Sequence, residues 1–277
     1  MKISYHEFMN LNDLRSDIRI LQISDTHLFA DPQGQLCGQK TRVSFEAVLD
    51  DMRKNSWPPD LILVTGDLSQ DNSDKSYIFF REKMLELKVP IYCLPGNHDS
   101  VGLMTQLLNR GLVQVPRSVM INRWQIILMN SVLPKKHVGH VSREEMEFLK
   151  EALQAHPEKN VLIALHHSPV LVKSQWLDSM VLDNSAEFFD LIDRFRHIKG
   201  VVYGHIHQEY ETKRKGVSLI GSPSTCVQFK PKSNGFRFDN KPPGYRWLHL
   251  FPNGKIHATI ERVKKFKPTV NLKAKGY

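Results

Sequence analysis

Cysteine is scarce in this chain: Cys37, Cys93 and Cys226 are the only three in 277 residues, and they lie far apart. Their number is odd and no C-x-x-C spacing occurs. Neither a disulfide framework nor a thiolate zinc site is expected, and free thiols point to a reducing compartment, the cytoplasm. No apolar run approaches the ~20 residues of a membrane span, so no membrane partner is expected. The opening residues, Met1-Lys2-Ile3-Ser4-Tyr5-His6-Glu7, lack the apolar stretch of a secretory signal. There is no internal repeat. No helical stretch carries a long basic stripe, and no stacking-aromatic motif of the RNA-binding kinds is present, so nucleic acid is not an expected partner. None of these absences sets the oligomeric state, which stays open and includes a monomer.

What is present begins with charge. The formal net charge is +9. The excess gathers late, in Lys213-Arg214-Lys215, Lys230-Pro231-Lys232 and Lys264-Lys265-Phe266-Lys267. Solubility explains such an excess as readily as attraction of an anionic substrate does. The hydrophobic fraction of 41% and charged fraction of 24% are those of an ordinary globular protein. The chain is long enough to bury one good core without division.

Apolar β-favouring runs alternate with helical patterns. Ile18–Ser24, Leu61–Thr65, Val89–Leu94 and Val161–Leu165 read as strands, and Val119–Ile121 with Gln125–Asn130 as a hairpin around Asn122-Arg123. Helices are expected from Thr41 or Ser44 to about Asn55, over Ser73–Leu87, over Leu103–Asn109, from Ser142 to about Gln154, and over Ser185–Phe195. Later strands follow each other directly: Val201–Tyr203, Val217–Ile220, Tyr245–Leu250 and His257–Val263. Lys230–Gly244 reads as a long surface loop, and Pro268–Tyr277 as a loosely held tail. The pattern predicts an α/β fold of four layers, αββα, with two mixed sheets between helices. The expected organisation is an N-terminal extension (1–17), a single domain (18–263) and a basic C-terminal tail (264–277).

Five polar islands carry the chemistry: Asp25-Thr26-His27, Gly66-Asp67, Gly96-Asn97-His98-Asp99, His166-His167 and Gly204-His205-Ile206-His207. Each follows one of the apolar runs. A strand ending in Asp or His presents that side chain at the sheet edge, so five such strands would converge their islands on one small volume. In an extended chain, residues two apart point the same way, so Asp-x-His and His-x-His would each offer two ligands. Alone, Asp-x-His is most often a solvated turn, and Gly-Asp says less; the five together, in this order, carry the weight. Such a density of carboxylate, amide and imidazole is costly to bury unless cations neutralise it. The simplest reading is a site for two metal ions. The ligand types suit Fe²⁺, Mn²⁺, Zn²⁺ or Co²⁺ better than Ca²⁺.

These motifs together resemble the calcineurin-like metallophosphoesterase superfamily, over about residues 18 to 225. Within it, Ile20–Phe29, Leu94–Asp99 and Pro223-Ser224-Thr225-Cys226-Val227-Gln228-Phe229-Lys230-Pro231 are similar to the bacterial class III 3′,5′-cyclic AMP phosphodiesterases. The resemblance implies that Asp25, His27 and His207 hold one metal, that Asn97, His166 and His205 hold the other, and that Asp67 bridges them. His167 is then a neighbour of the ligand His166. His98 is implied as the catalytic acid, with Asp99 able to orient it. The substrate would be bordered by His27, Asp67, Asn97, His98, His166 and His207. Asn130-Ser131 departs from relatives that carry Asp there in a structural role. His137 and His140, in the following loop, read as exposed histidines.

The reaction implied is hydrolysis of cyclic AMP to 5′-AMP, with a hydroxide activated between two cations ~3.5–4 Å apart and a proton from His98 for the leaving oxygen. No Ser or Cys nucleophile is required. The alternatives are another activity of the same superfamily, such as a nuclease, nucleotide pyrophosphatase or protein phosphatase, and more remotely a non-catalytic interaction scaffold. The scaffold predicts lost ligands, and none is lost.

Overall fold

The computed structural model describes residues 6–8, 17–55 and 57–276, with the backbone alone at 6–8. Two mixed β-sheets form its centre. The six-stranded sheet runs, edge to edge, Ile256–Arg262, Gly244–Leu250, Ile18–Ile23, Leu61–Thr65, Ile91–Leu94, Val113–Gln114. Its last four strands are parallel and its first two antiparallel. The seven-stranded sheet runs His6–Phe8, Ser118–Ile121, Trp124–Leu128, Asn160–Leu165, Ile198–Tyr203, Val217–Gly221, Tyr210–Arg214. Trp124–Leu128 through Val217–Gly221 are parallel in it.

The central strands are apolar on both faces because both faces are covered. In Ile18–Ile23, Ile18 and Ile20 enter the layer between the sheets, where they join Leu61, Leu63, Trp124, Ile126, Leu162 and Val202. Leu21 and Ile23 point the other way, onto Phe45, Val48, Tyr77, Phe80 and Met104 of the helices Thr41–Lys54, Asp74–Leu85 and Val101–Leu108. Outside the second sheet, Ile163 and Leu165 meet Phe148, Leu149 and Phe188 of Arg143–Ala155 and Ser185–Ile192. The four layers expected from the alternation are therefore present. No described helix is long and apolar enough to cross a membrane. The three cysteines are free.

Several local expectations change. The first helix begins at Thr41 itself, after Lys40, with no side-chain cap. Neither Thr41 nor Ser44 caps it: Ser44 Oγ instead donates to the Thr41 carbonyl. Ser73, Ser100 and Ser142 do cap their helices, each accepting a main-chain N–H. Of the expected extension 1–17, His6–Phe8 pairs in parallel with Ser118–Ile121; the rest, Asp17 apart, lies outside the described residues.

Lys230–Gly244 is more than a surface loop. Phe238–Asp239 pairs with Gln228–Phe229, which buries Phe238 and packs Phe236 against Phe229. The segment Pro268–Gly276 is likewise docked. Thr269 N–H donates to Gln39 Oε1, Asn271 N–H to the Cys37 carbonyl, and Val270 is buried. Its partner is the turn at Cys37–Gln39, more than two hundred residues away in the chain, so no local pattern could have announced it.

Candidate metal centre

The five islands meet where the two sheets adjoin. Asp25 follows Ile18–Ile23, Asp67 follows Leu61–Thr65, and Asn97 and His98 follow Ile91–Leu94, all in one sheet. His166 follows Asn160–Leu165, and His205 and His207 follow Ile198–Tyr203, in the other. Main-chain bonds tie these ends together: Asp25 N–H to the Gly66 carbonyl (3.0 Å), His27 N–H to Asp67 (3.0 Å) and Gly204 N–H to His166 (3.1 Å). Gln22 Nε2 donates to Thr65 Oγ1 within its own sheet and, across the seam, to the Tyr203 carbonyl.

The ligand pairs are not presented by an extended chain, as the spacing alone suggested. Asp25 (φ 56°), His27 (φ 46°), Asp67 (φ 53°), His205 (φ 65°) and His207 (φ 47°) all occupy the left-handed region. Such backbone is strained for residues with a Cβ, and it persists only where the surroundings impose it. Here the kinks turn alternate side chains inward. Gly66, at φ 92°, lets the chain pass against Gly96 N and the His166 ring, where a Cβ would collide with both.

Asp99 secures two of the loops. Its carboxylate accepts from Leu68 N–H (3.1 Å), Ser69 N–H (3.0 Å), Gly96 N–H (2.9 Å) and the Tyr77 hydroxyl (3.1 Å). It thereby joins the Asp67 loop to the Asn97 loop, a role different from the expected orientation of His98. Burial, with Asp67 close by, lifts its carboxyl to about 6.

The remaining contacts set ring tautomers. Nδ1–H of His166 donates to the Thr65 carbonyl (2.8 Å), that of His207 to the Val227 carbonyl (2.8 Å), and that of His27 to Gln70 Oε1 (2.6 Å). Each Nε2 then turns a lone pair toward the centre. The Nε2 atoms of His27 and His207 face each other at 3.2 Å. His207 Nε2 lies 3.3 Å from Asp25 Oδ1, and His166 Nε2 lies 3.2 Å from Asp67 Oδ2 and 3.1 Å from Asn97 Oδ1. Lone pairs so placed repel unless a cation or a proton stands among them.

The buried charges make the same demand. Asp25 and Asp67 are fully buried, and among the described residues their ion pairs are with imidazoles alone. Burial would raise Asp67, yet His166 and His98 hold it well below the usual carboxylate range. Burial would depress His166, yet Asp67 outweighs it and raises the imidazole to about 9. For His27 burial prevails and lowers it to about 3. Nε2 of His205 is buried without a hydrogen-bond partner. Convergent lone pairs, two buried carboxylates and an orphaned imidazole nitrogen make a donor set that fits divalent cations.

Four groups place one ligand atom each within 4.8 Å of the others: Asp25, His27 and His207; Asp25, Asp67 and His166; His27, Asp67 and His98; and His166, His167 and His205. All seven expected ligands are thus brought together, with Asn97 Oδ1 against His166. His98 and His167 stand within reach as well. His167 Nδ1 bonds Ser131 Oγ at 2.8 Å and its Nε2 is buried without a partner. Ser131, one of the pair Asn130-Ser131 that departs from relatives, thus holds His167. His98 lines the cavity beside the cluster, and burial lowers its imidazole against the pull of Asp67. His140 pairs with Asp183, whereas the exposed His137 sits at the cavity beside Asn97.

Sequence reasoning missed the supporting groups Gln70, Thr65 and Val227, which act through two carbonyl groups and one side-chain amide. It also missed Phe229, whose ring stacks on His207 at 4.1 Å. The one available signal was the segment Pro223–Pro231. It wraps the first ligand group: Ser224 Oγ donates to the Asp25 carbonyl and Thr225 N–H to that of Ser24.

Comparison with known proteins points the same way. A family model described as calcineurin-like phosphoesterase matches residues 18–209. The chain is 40% identical over 263 residues to the 3′,5′-cyclic adenosine monophosphate phosphodiesterase CpdA of Vibrio vulnificus, covering 95% of this chain and 96% of that protein. It is 37% identical to the CpdA of Escherichia coli K12, covering 94% and 95%. Against a 3′,5′-cyclic-nucleotide phosphodiesterase of Nostoc it is 40% identical, covering 92% and 97%. Among solved structures, purple acid phosphatase PPD1 from yellow lupin shares the fold, with a TM-score of 0.66 at 14% identity, covering 92% of this chain and 53% of that one.

Proposed function

The chain belongs to the calcineurin-like phosphoesterase family, and we propose that it hydrolyses 3′,5′-cyclic AMP to 5′-AMP. It is a hydrolase of phosphoric diester bonds that works with divalent metal ions. The observation that carries the reading is the pairing of this donor cluster with 36–40% identity, over nearly the whole chain, to proteins named as cyclic AMP phosphodiesterases. Residues 18–263 form the catalytic domain, 1–17 an extension and 264–277 a basic tail. The protein acts in the cytoplasm, where its thiols stay reduced.

Asp25, His27 and His207 would hold one cation and Asn97, His166 and His205 the other, with Asp67 in reach of both sets. Iron, manganese, zinc and cobalt all suit these donors. When bound, the pair supplies a nucleophile from water at neutral pH and offsets charge on the phosphoryl oxygens. The chain does the rest. Thr65, Val227 and Gln70 keep each Nε2 aimed inward. His27, Asp67, Asn97, His98, His166 and His207 border the phosphate. A ring nitrogen of His98 gives a proton to the 3′ oxygen as its bond to phosphorus breaks; water oxygen takes that bond's place and releases its own proton to solvent, from which His98 regains the one it gave. No side chain forms a covalent intermediate. The buried thiols could not serve: burial pushes Cys93 well above its ordinary value and Cys226 to about 12.

The test is turnover of cyclic AMP by the manganese-loaded chain, set against single-stranded DNA and a phosphoserine peptide. Release of 5′-AMP, with the other two cleaved far more slowly, supports the reading. Preferential cleavage of DNA or peptide overturns it.

A further inference from the structure

Beside the donor cluster lies a cavity of about 170 Å³. One end is polar, formed by Asn97, His98 and His205. The other is built from Trp176, Phe236 and Met180, over the edge of Phe229. Two separate stretches of chain supply this apolar end. Trp176 stands on the helical turn Gln175–Asp178, and Phe229 and Phe236 belong to the hairpin at 228–239. Gly276 of the docked C-terminal segment closes the side, its carbonyl accepting from Cys37 Sγ.

The rings are held, not loose. Trp176 meets Phe229 edge to face at 4.8 Å and Phe236 at 5.0 Å, and Phe236 meets Phe238 at 4.8 Å. Phe229 stacks its other neighbour, His207, at 4.1 Å. One ring thus separates the ligand cluster from the aromatic end. Trp176 and Phe236 pack against the apolar core yet remain partly exposed.

We propose that this aromatic end is the subsite for the purine base of the cyclic nucleotide. The inference rests on the phosphodiesterase reading and deepens it. A cavity of about 170 Å³ falls below the ~300 Å³ at which small-molecule pockets usually begin, so it suits one flat base and not a whole nucleotide. Its lining includes His98 and Asn97, beside which the phosphate and the 3′ oxygen must lie. The base therefore projects away from the cations along the aromatic wall. A purine offers the larger π-face to Trp176 and Phe236, and stacking of this kind needs no hydrogen-bond partner.

The experiment compares the manganese-loaded full chain with Trp176→Ala, Phe236→Ala and Trp176→Phe on two substrates. Cyclic AMP carries a two-ring purine; bis(4-nitrophenyl) phosphate carries only single benzene rings, which offer Trp176 and Phe236 a smaller π-face. Each alanine variant should raise KM for cyclic AMP by roughly 5- to 100-fold, several times more than it raises KM for the aryl diester, and Trp176→Phe should recover most of the loss. As a binding readout, adenosine should quench tryptophan fluorescence in the unaltered chain and fail to do so in Trp176→Phe. That readout decides the matter if an alanine variant does not fold. Equal KM shifts on both substrates, an unmoved KM for cyclic AMP, or no quenching overturns the subsite. An unaltered chain that cleaves the aryl diester but not cyclic AMP overturns the reading of cyclic AMP as substrate, and this subsite with it.

Discussion

The main-chain N–H of His98 donates to Oδ1 of Asp67 over 2.9 Å. The loop that carries the proposed acid is thereby hung on the carboxylate proposed to bridge the cations, whose Oδ2 faces His166 at 3.2 Å. Position of the acid and integrity of the centre are coupled through one side chain, and the two can be separated by mutation.

Asp67→Ala removes the bridge and the acceptor for His98 together. Bound metal should fall below two ions per chain, and kcat should fall by roughly 10²-fold or more. Elemental analysis alongside turnover checks this; two ions per chain with ordinary turnover would contradict the bridging role.

His98→Ala leaves the Asp67 acceptor bond in place, because the backbone makes it. Metal content should stay near that of the unaltered chain, while kcat for cyclic AMP drops by roughly 10²–10⁴-fold. The drop should be much smaller for bis(4-nitrophenyl) phosphate, whose leaving group needs no proton. Loss of metal with undiminished turnover per loaded site would make His98 a ligand and not an acid.

Tyr77→Phe tests the staple at Asp99. The phenol donates to Asp99 and accepts the Ser100 N–H at 2.9 Å. Burial and the neighbouring carboxylate push the phenol up, so it stays a donor. Its removal should cost about 1–3 kcal/mol and lower Tm by several degrees. A melting curve unchanged within error would mean that the two loops do not depend on it.

Chelation of the metal should abolish activity and lower Tm, since the buried carboxylates lose their compensation. The loss corresponds to about 2.7 kcal/mol for each ion previously present at a hundred times its dissociation constant. Added Mn²⁺ should restore both. Activity that survives exhaustive chelation would remove metals from the reaction.

Ser142→Ala serves as the contrast. Ser142 Oγ accepts the Glu145 N–H and caps the helix Arg143–Ala155. Stability should fall by ~1 kcal/mol, with kcat unaltered. A matching fall in kcat would show that activity tracks stability in general, and the site variants would have to be reread.

The architecture was legible because it depends on patterns a chain cannot hide. Strands covered on both faces must be apolar throughout, as Leu61–Thr65 is, and helices at the outside must carry one apolar stripe. The donor cluster was legible because five such islands, each directly after an apolar strand and in this order, have few other reasons to occur together. Three features were read differently. The capping role of Thr41 failed because Lys40 already precedes the helix in extended backbone. The stretch at 230–244 looked polar, yet Phe236 and Phe238 find partners in Phe229 and Trp176. The tail looked loose, yet it docks on Cys37–Gln39.

By itself, then, the sequence determined the identities of the donors, their order and the strands that deliver them, since side-chain chemistry and periodicity are properties of the chain alone. Tertiary structure decided how they point. Left-handed backbone at Asp25, His27, Asp67, His205 and His207 is unfavourable in isolation, and only packing at the seam between two sheets imposes it. The aromatic wall around Trp176 was decided the same way, by contacts between segments that no local pattern relates.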